Sequence, residues 1–191
     1  MKIELDIPYL TKVDDKLLDL LMEAHAKTAI DNANASSGAC VNAGTVTGKL
    51  TNGLASAILC LGGHHAPIME ARLVYTQWTQ EHIKEALMWN KFIPGFGNAF
   101  YKDSIDPAWE AVDSYLYTRY PAEYERIREL RRWMQGQDVD LYPNAALYSA
   151  VACDIMGCVW GAEVSLLILA RLPMWTSLWL TNNDSTRLIN C

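Results

Sequence analysis

The sequence predicts an all-α protein, and three observations carry the prediction. Apolar residues recur at helical spacing through most of the chain, no segment alternates with period two for long, and prolines and paired glycines fall where helices would start or stop. The chain has 191 residues, 51% of them hydrophobic, which suffices for a sizeable core and argues against disorder. We expect residues 1–191 to form one domain of packed helices with no internal repeat.

Each element has its own warrant. The opening KIELDI reads as a short strand at most. Residues 14–30 read as a helix, with Leu17, Leu18, Leu20, Leu21 and Ala24 on its apolar positions and Asp14 and Asp15 at its start. The turn formers of DNANASSGA end that pattern, and residues 38–48 are small and weakly helical. LTNGLASAILCL, residues 50–61, reads as an apolar helix stopping at Gly62-Gly63. One long helix is expected from Ile68 to Lys91, then an irregular loop, IPGFGNAFY, over residues 93–101. Asp106-Pro107, Pro121 and Pro143 each place a proline at a helix start. A break near Gly157 precedes the helix EVSLLILARL, and Pro173 is expected to begin a final helix, MWTSLWL. The seven tryptophans fall mostly at helical spacing, as packing residues would.

Charge and composition exclude several classes of function. The net charge of −6 argues against nucleic-acid binding, which needs a basic face. The one basic cluster, Arg128, Arg131 and Arg132, follows Glu123 and Glu125 and reads as a solvated helix face. The acidic residues among the first ten argue against a signal peptide. The most apolar region, residues 145–180, is interrupted by Asp154, Glu163 and Arg171, so no membrane span is expected. Five cysteines without a CxxC spacing fit reduced thiols in the cytoplasm, with Cys153 and Cys158 in the core. His25 and His82 read as ordinary helix residues.

No metal site is expected. His64 and His65 are adjacent and do not share a face, and no second cluster supplies ligands. GTVTGKLT fails as a phosphate loop: it has three residues between its glycines, and Leu50 stands where a hydroxyl would hold the metal. The NAS triplet at Asn34 carries no meaning without secretion.

Three separated segments, GGHHAPIMEA, IPGFGNAFYKDSIDPAW and LYPNAALYSAVACDIMG with the following LLILARLPMW, occur together in one order. In that order and spacing they resemble the citrate synthase family from about Ala29 to Leu180, and the chain is also similar to the short citryl-CoA lyase module. The resemblance implies an all-α, citrate-synthase-like multi-helix fold, truncated relative to the family. Residues 94–140 would correspond to part of the family's small domain.

The resemblance also assigns roles, one position at a time. His65 falls where the family's histidine holds the carbonyl of acetyl-CoA, although Ala66 and Pro67 replace the glycines that follow. Asn98 replaces the histidine that polarises the 2-oxo group of oxaloacetate, Ala146 the aspartate base, and Ala108 the arginine that grips a carboxylate. Asn32 falls at a further oxaloacetate-binding histidine. Asn98 can donate a hydrogen bond but cannot carry a proton at neutral pH. Loss of a general base is worth ~10²–10⁴ in rate. Loss of a charged bidentate contact costs about 2 kcal/mol or more.

Ordinary citrate synthesis is therefore not expected. The resemblance implies a pseudoenzyme without a cofactor that keeps a pocket for CoA or an acyl-CoA around Pro94, Gly95, Phe96, Gly97, Asn98 and Asn144. It would work as a homodimer, its LTNGLASAILCLGG helix at the two-fold axis, or with a catalytic relative or another protein partner. The alternative is an active acyl-CoA or organic-acid enzyme in which His65 and Asn98 polarise a carbonyl and Asp103, Asp106 or Glu70 is re-aimed as base.

Overall fold

The computed structural model describes residues 10–31, 40–43, 48–61 and 67–187. Among them are helices α1 (Asp15–Asp31), α2 (Leu50–Leu59), α3 (Ile68–Gln77), α4 (Gln80–Met88), α5 (Glu110–Arg119), α6 (Pro121–Gln135), α7 (Ala145–Ile155) and α8 (Glu163–Arg187), with a 3₁₀ turn at Pro107–Trp109. No β-strand occurs among the described residues. Two isolated antiparallel bridges join Leu10 to Cys158 and Phe96 to Pro143. KIELDI and the Gly62-Gly63 stop lie outside the described residues.

The chain packs as two compact units. The first holds residues up to Leu20 and Ile68–Val164; the second holds Leu21–Pro67 and Ser165 onward. In the first unit α3 lies against α7, and α6 packs on α3, α4 and α5. Helix α7 is buried from Ala146 to Cys153 without a gap, because it is apolar on every face. Trp109, fully buried, stacks on Tyr148 of α7 with ring centroids 5.7 Å apart. The Tyr148 hydroxyl then donates to Asp113, 2.8 Å away, which also takes a 2.8 Å bond from Tyr124. At the end of α8 nearer Cys158, Arg72 pairs with the buried Glu163 at 2.6 Å and with Asp154 at 3.3 Å.

The second unit buries Leu21 and Ala24 of α1, Val41, Ala57 of α2, and Trp175 and Trp179 of α8. Gly53 lets α2 approach closely: a Cβ there would sit 2.7 Å from the Trp179 ring.

Three expectations need correction. The long helix from Ile68 to Lys91 is two, because Thr79 restarts the chain. Its backbone N–H and hydroxyl both lie 3.0 Å from His82 Nδ1, a capping box with histidine in the usual place of glutamate. Arg126 completes the stop by donating to the carbonyls of Tyr75 and Trp78 at the end of α3. Pro143 does not begin α7; Asn144 is its N-cap.

Pro173 starts no new helix, since α8 runs through it without interruption. A proline inside a helix removes one backbone bond and crowds the preceding turn. Here the face bearing Leu166, Ala170, Trp175 and Trp179 is buried on both sides of it, and that packing holds the helix together. The stretch Glu163–Asn182 is consequently long and apolar enough to cross a membrane, by length and composition only.

Candidate functional site

The glycine loop is a rigid part of the first unit. Gly95 has φ +92°, and a Cβ there would meet Leu147 Cβ at 3.0 Å and Ala71 Cβ at 3.2 Å. Only glycine combines that backbone with that approach to α3 and α7. Phe96 closes a turn onto the Ile93 carbonyl at 3.1 Å and is 1% exposed. Gly97 N–H donates to the Tyr142 carbonyl at 2.9 Å, and Asn144 N–H to the Gly95 carbonyl at 3.0 Å.

Asn144 joins the two segments through its side chain as well. Its Nδ2 donates to the Gly97 carbonyl at 2.8 Å, while its Oδ1 accepts the Ala146 N–H at 2.9 Å. One amide thus caps α7 and clamps the loop. The partner segment is held in turn by Arg131, which donates to Asp140 at 2.6 Å and lies 4.1 Å from the Tyr142 ring centroid. Arg128 and Arg132 pair with Glu125 on the exposed side of α6, as a solvated face would.

Asn98 turns its carbonyl inward on its own loop, where Oδ1 accepts from Phe100 N–H at 2.9 Å and Tyr101 N–H at 3.4 Å. This leaves Nδ2 as the donor it can offer a ligand. Beside it opens a cleft of about 640 Å³, in the range of small-molecule sites. Lys84 and Lys91 supply cations there, Phe92 and Phe96 apolar surface, and Asn98 and Gln137 amides.

The other predicted positions are placed less productively. Ala146 and Ala108 are 6% and 8% exposed, so neither offers a reactive group or room for a large one. Asp106, one of the alternative bases, is buried with its carboxylate accepting the Ala108 N–H at 2.9 Å, so it serves as a helix cap. Asp103 and Glu70 are exposed. His65, Ala66 and Asn32 lie outside the described residues. Among the described residues no group of three His, Cys, Asp or Glu is placed to hold a metal ion.

The sequence reading did not anticipate the burial of Arg171. In the second unit it is 6% exposed, and its Nε has no hydrogen-bond partner among the described residues. Burial strips water from the guanidinium and lowers its pKa to about 10. His25, also buried, is held well below its ordinary value, first by burial and then by the Arg171 charge. The available signal was a lone arginine in an apolar helix.

The sequence profile of the citrate synthase C-terminal domain matches residues 9–190. The chain belongs to the citrate synthase family. Among solved structures, this family member is similar to the citryl-CoA lyase of Hydrogenobacter thermophilus, with a TM-score of 0.70 at 19% identity over 90% of this chain and 72% of that one. It is also similar to the citrate synthase of Thermotoga maritima, with a TM-score of 0.69 at 22% identity over 87% of this chain and 47% of that one. The ATP citrate lyase of Methanothrix soehngenii, solved in complex with citrate and coenzyme A, aligns with a TM-score of 0.68 at 17% identity over 91% of this chain and 31% of that one. At these identities the likeness is one of fold, and it bears out the all-α, citrate-synthase-like architecture. No curated protein sequence matches the chain.

Proposed function

We propose that this citrate synthase family member is a pseudoenzyme that binds a CoA-type ligand in the cleft beside Asn98 and acts through that binding or through a protein partner. One observation carries the reading. The loop is fixed by Asn144 as a working pocket wall would be, yet the positions expected to bear the base and the carboxylate clamp are the buried Ala146 and Ala108. The cleft suits a ligand that joins anionic groups to a flat ring: Lys84 and Lys91 can pair with phosphates, Phe92 offers a ring face, and Asn98 and Gln137 can hydrogen-bond. We place the protein in the cytoplasm on its thiols, since the four described cysteines are free.

A second reading, an active enzyme on an acyl-CoA or organic acid, draws on Arg171. A buried guanidinium whose Nε has no hydrogen-bond partner among the described residues is suited to a carboxylate ligand.

Calorimetric titration with CoA, acetyl-CoA, oxaloacetate and citrate, followed by an assay of thiol release, tests both. The pseudoenzyme reading expects CoA binding without turnover. Turnover that disappears in His65→Ala would overturn it in favour of the enzyme, and binding of none of the four would remove the ligand pocket altogether.

A further inference from the structure

Helix α7 ends in a Schellman arrangement that brings two cysteines together. Gly157 takes φ +62°, its N–H donates to the Asp154 carbonyl at 3.1 Å, and the Cys158 N–H returns to the Cys153 carbonyl at 2.8 Å. This pair of bonds sets the side chains of the third-last helical residue and the second residue past the cap against each other. Those residues are Cys153 and Cys158, and the Cys158 thiol itself donates to the Val159 carbonyl at 3.6 Å. Both are free and nearly buried, at 0% and 4% exposed. The next residues, Val159 and Trp160, are exposed at 55% and 49%, so only a thin layer separates Cys158 from solvent.

We propose that Cys153 and Cys158 form a peroxide-sensitive dithiol whose reversible disulfide locks the end of α7. Cys158 reacts first. The neighbouring Cys153 thiol holds it below the ordinary value against the opposing effects of burial and Glu163, and the Arg72 charge assists. Its thiolate attacks one oxygen of hydrogen peroxide, the O–O bond breaks, and hydroxide leaves to take up the proton Cys158 had lost. The Cys153 thiol then attacks the resulting sulfenic sulfur, the S–O bond breaks, and water leaves with the Cys153 proton. The two thiols together lose two electrons, and peroxide becomes two waters. A dithiol reductant reverses the bridge by exchange.

The lock would reach beyond the helix. The Met156 carbonyl accepts from Thr11 and Lys12 N–H at 3.1 and 3.0 Å, and the Cys158 carbonyl accepts from Arg72 at 3.0 Å. Cys60, whose thiol donates to the Ala57 carbonyl at 3.0 Å, is pushed up to about 11 by burial and by Cys40, which makes it the poorer nucleophile.

The test treats the reduced full chain with stoichiometric hydrogen peroxide, alkylates the remaining thiols, and maps the peptides. The expected product is a Cys153–Cys158 bridge, two hydrogens lighter and reversed by dithiothreitol. In the oxidised form the amides of residues 156–158 exchange severalfold more slowly with deuterium. Cys153→Ser, whose hydroxyl can still donate to the Cys158 sulfur, leaves Cys158 as a sulfenic acid captured by dimedone. A bridge between any other pair overturns the proposal. So does a Cys158 that stays a free thiol in Cys153→Ser, or an exchange rate that oxidation does not change.

Discussion

His25 links burial to pH most directly. It stays neutral in the folded protein because burial and the Arg171 charge both disfavour its protonation. Unfolded, it titrates near its ordinary 6.5. The folded value is the lower one, so its contribution to stability is complete above that ordinary value and is lost as pH falls toward the folded value. Each pH unit in that window removes about 1.4 kcal/mol. Urea melts should show a loss of about 1.4 kcal/mol in all between about pH 7.5 and 5.5, steepening toward this slope below that, and His25→Met should flatten it; an equal slope in the variant would place the acid sensitivity elsewhere. At this scale the sequence was partly legible. It pointed to Asn98 and Asn144 by motif, but the double use of the Asn144 amide depends on a loop arriving from almost fifty residues away. Arg171 was visible as an oddity in an apolar run, while its burial is a property of the packed unit.

At the scale of elements, local chemistry was readable where side chain and backbone act within one turn. Asp106 before Pro107, Pro121 at the start of α6 and the acidic start of α1 all appear as expected. The break that was missed at Thr79 and the break expected at Pro173 that does not occur have tertiary or unusual causes. Histidine stands in for glutamate in the capping box at Thr79, and Pro173 is carried by the buried face of α8. Gly95 connects an element to its packing and can be tested. Gly95→Ala must take φ +92° and meet Leu147 and Ala71. Neither the backbone nor the two helices yields cheaply, so the variant should lose about 1–3 kcal/mol. Its urea midpoint should fall, and the loop amides should lose hydrogen-exchange protection. An unchanged midpoint would mean the loop shifts freely, and the rigid pocket wall would be wrong.

For the whole molecule, the family assignment leaves assembly and activity to be measured. We propose a homodimer through α2, where Leu59 and Ile58 are 84% and 39% exposed at the end of an apolar helix. Sedimentation velocity should then give a dimer at micromolar concentration and a folded monomer for Leu59→Asp; a wild-type monomer would remove the proposal. Activity is tested by restoring residues of the family pattern that this chain lacks. Asn98→His with Ala146→Asp returns a proton-carrying ring and a carboxylate to their places, and the new carboxylate falls in the first turn of α7, where the helix dipole favours it. Citrate formation from acetyl-CoA and oxaloacetate should nonetheless stay at background. Ala108 still offers no cation, and its 8% exposure beside the stacked Trp109 leaves little room for one to reach in from another segment. A missing charged bidentate contact weakens substrate and transition state alike by about 2 kcal/mol or more. Robust synthesis by the double variant would show that another cation grips the acid, with Arg171 the first to substitute, and would place this family member two substitutions from citrate synthesis.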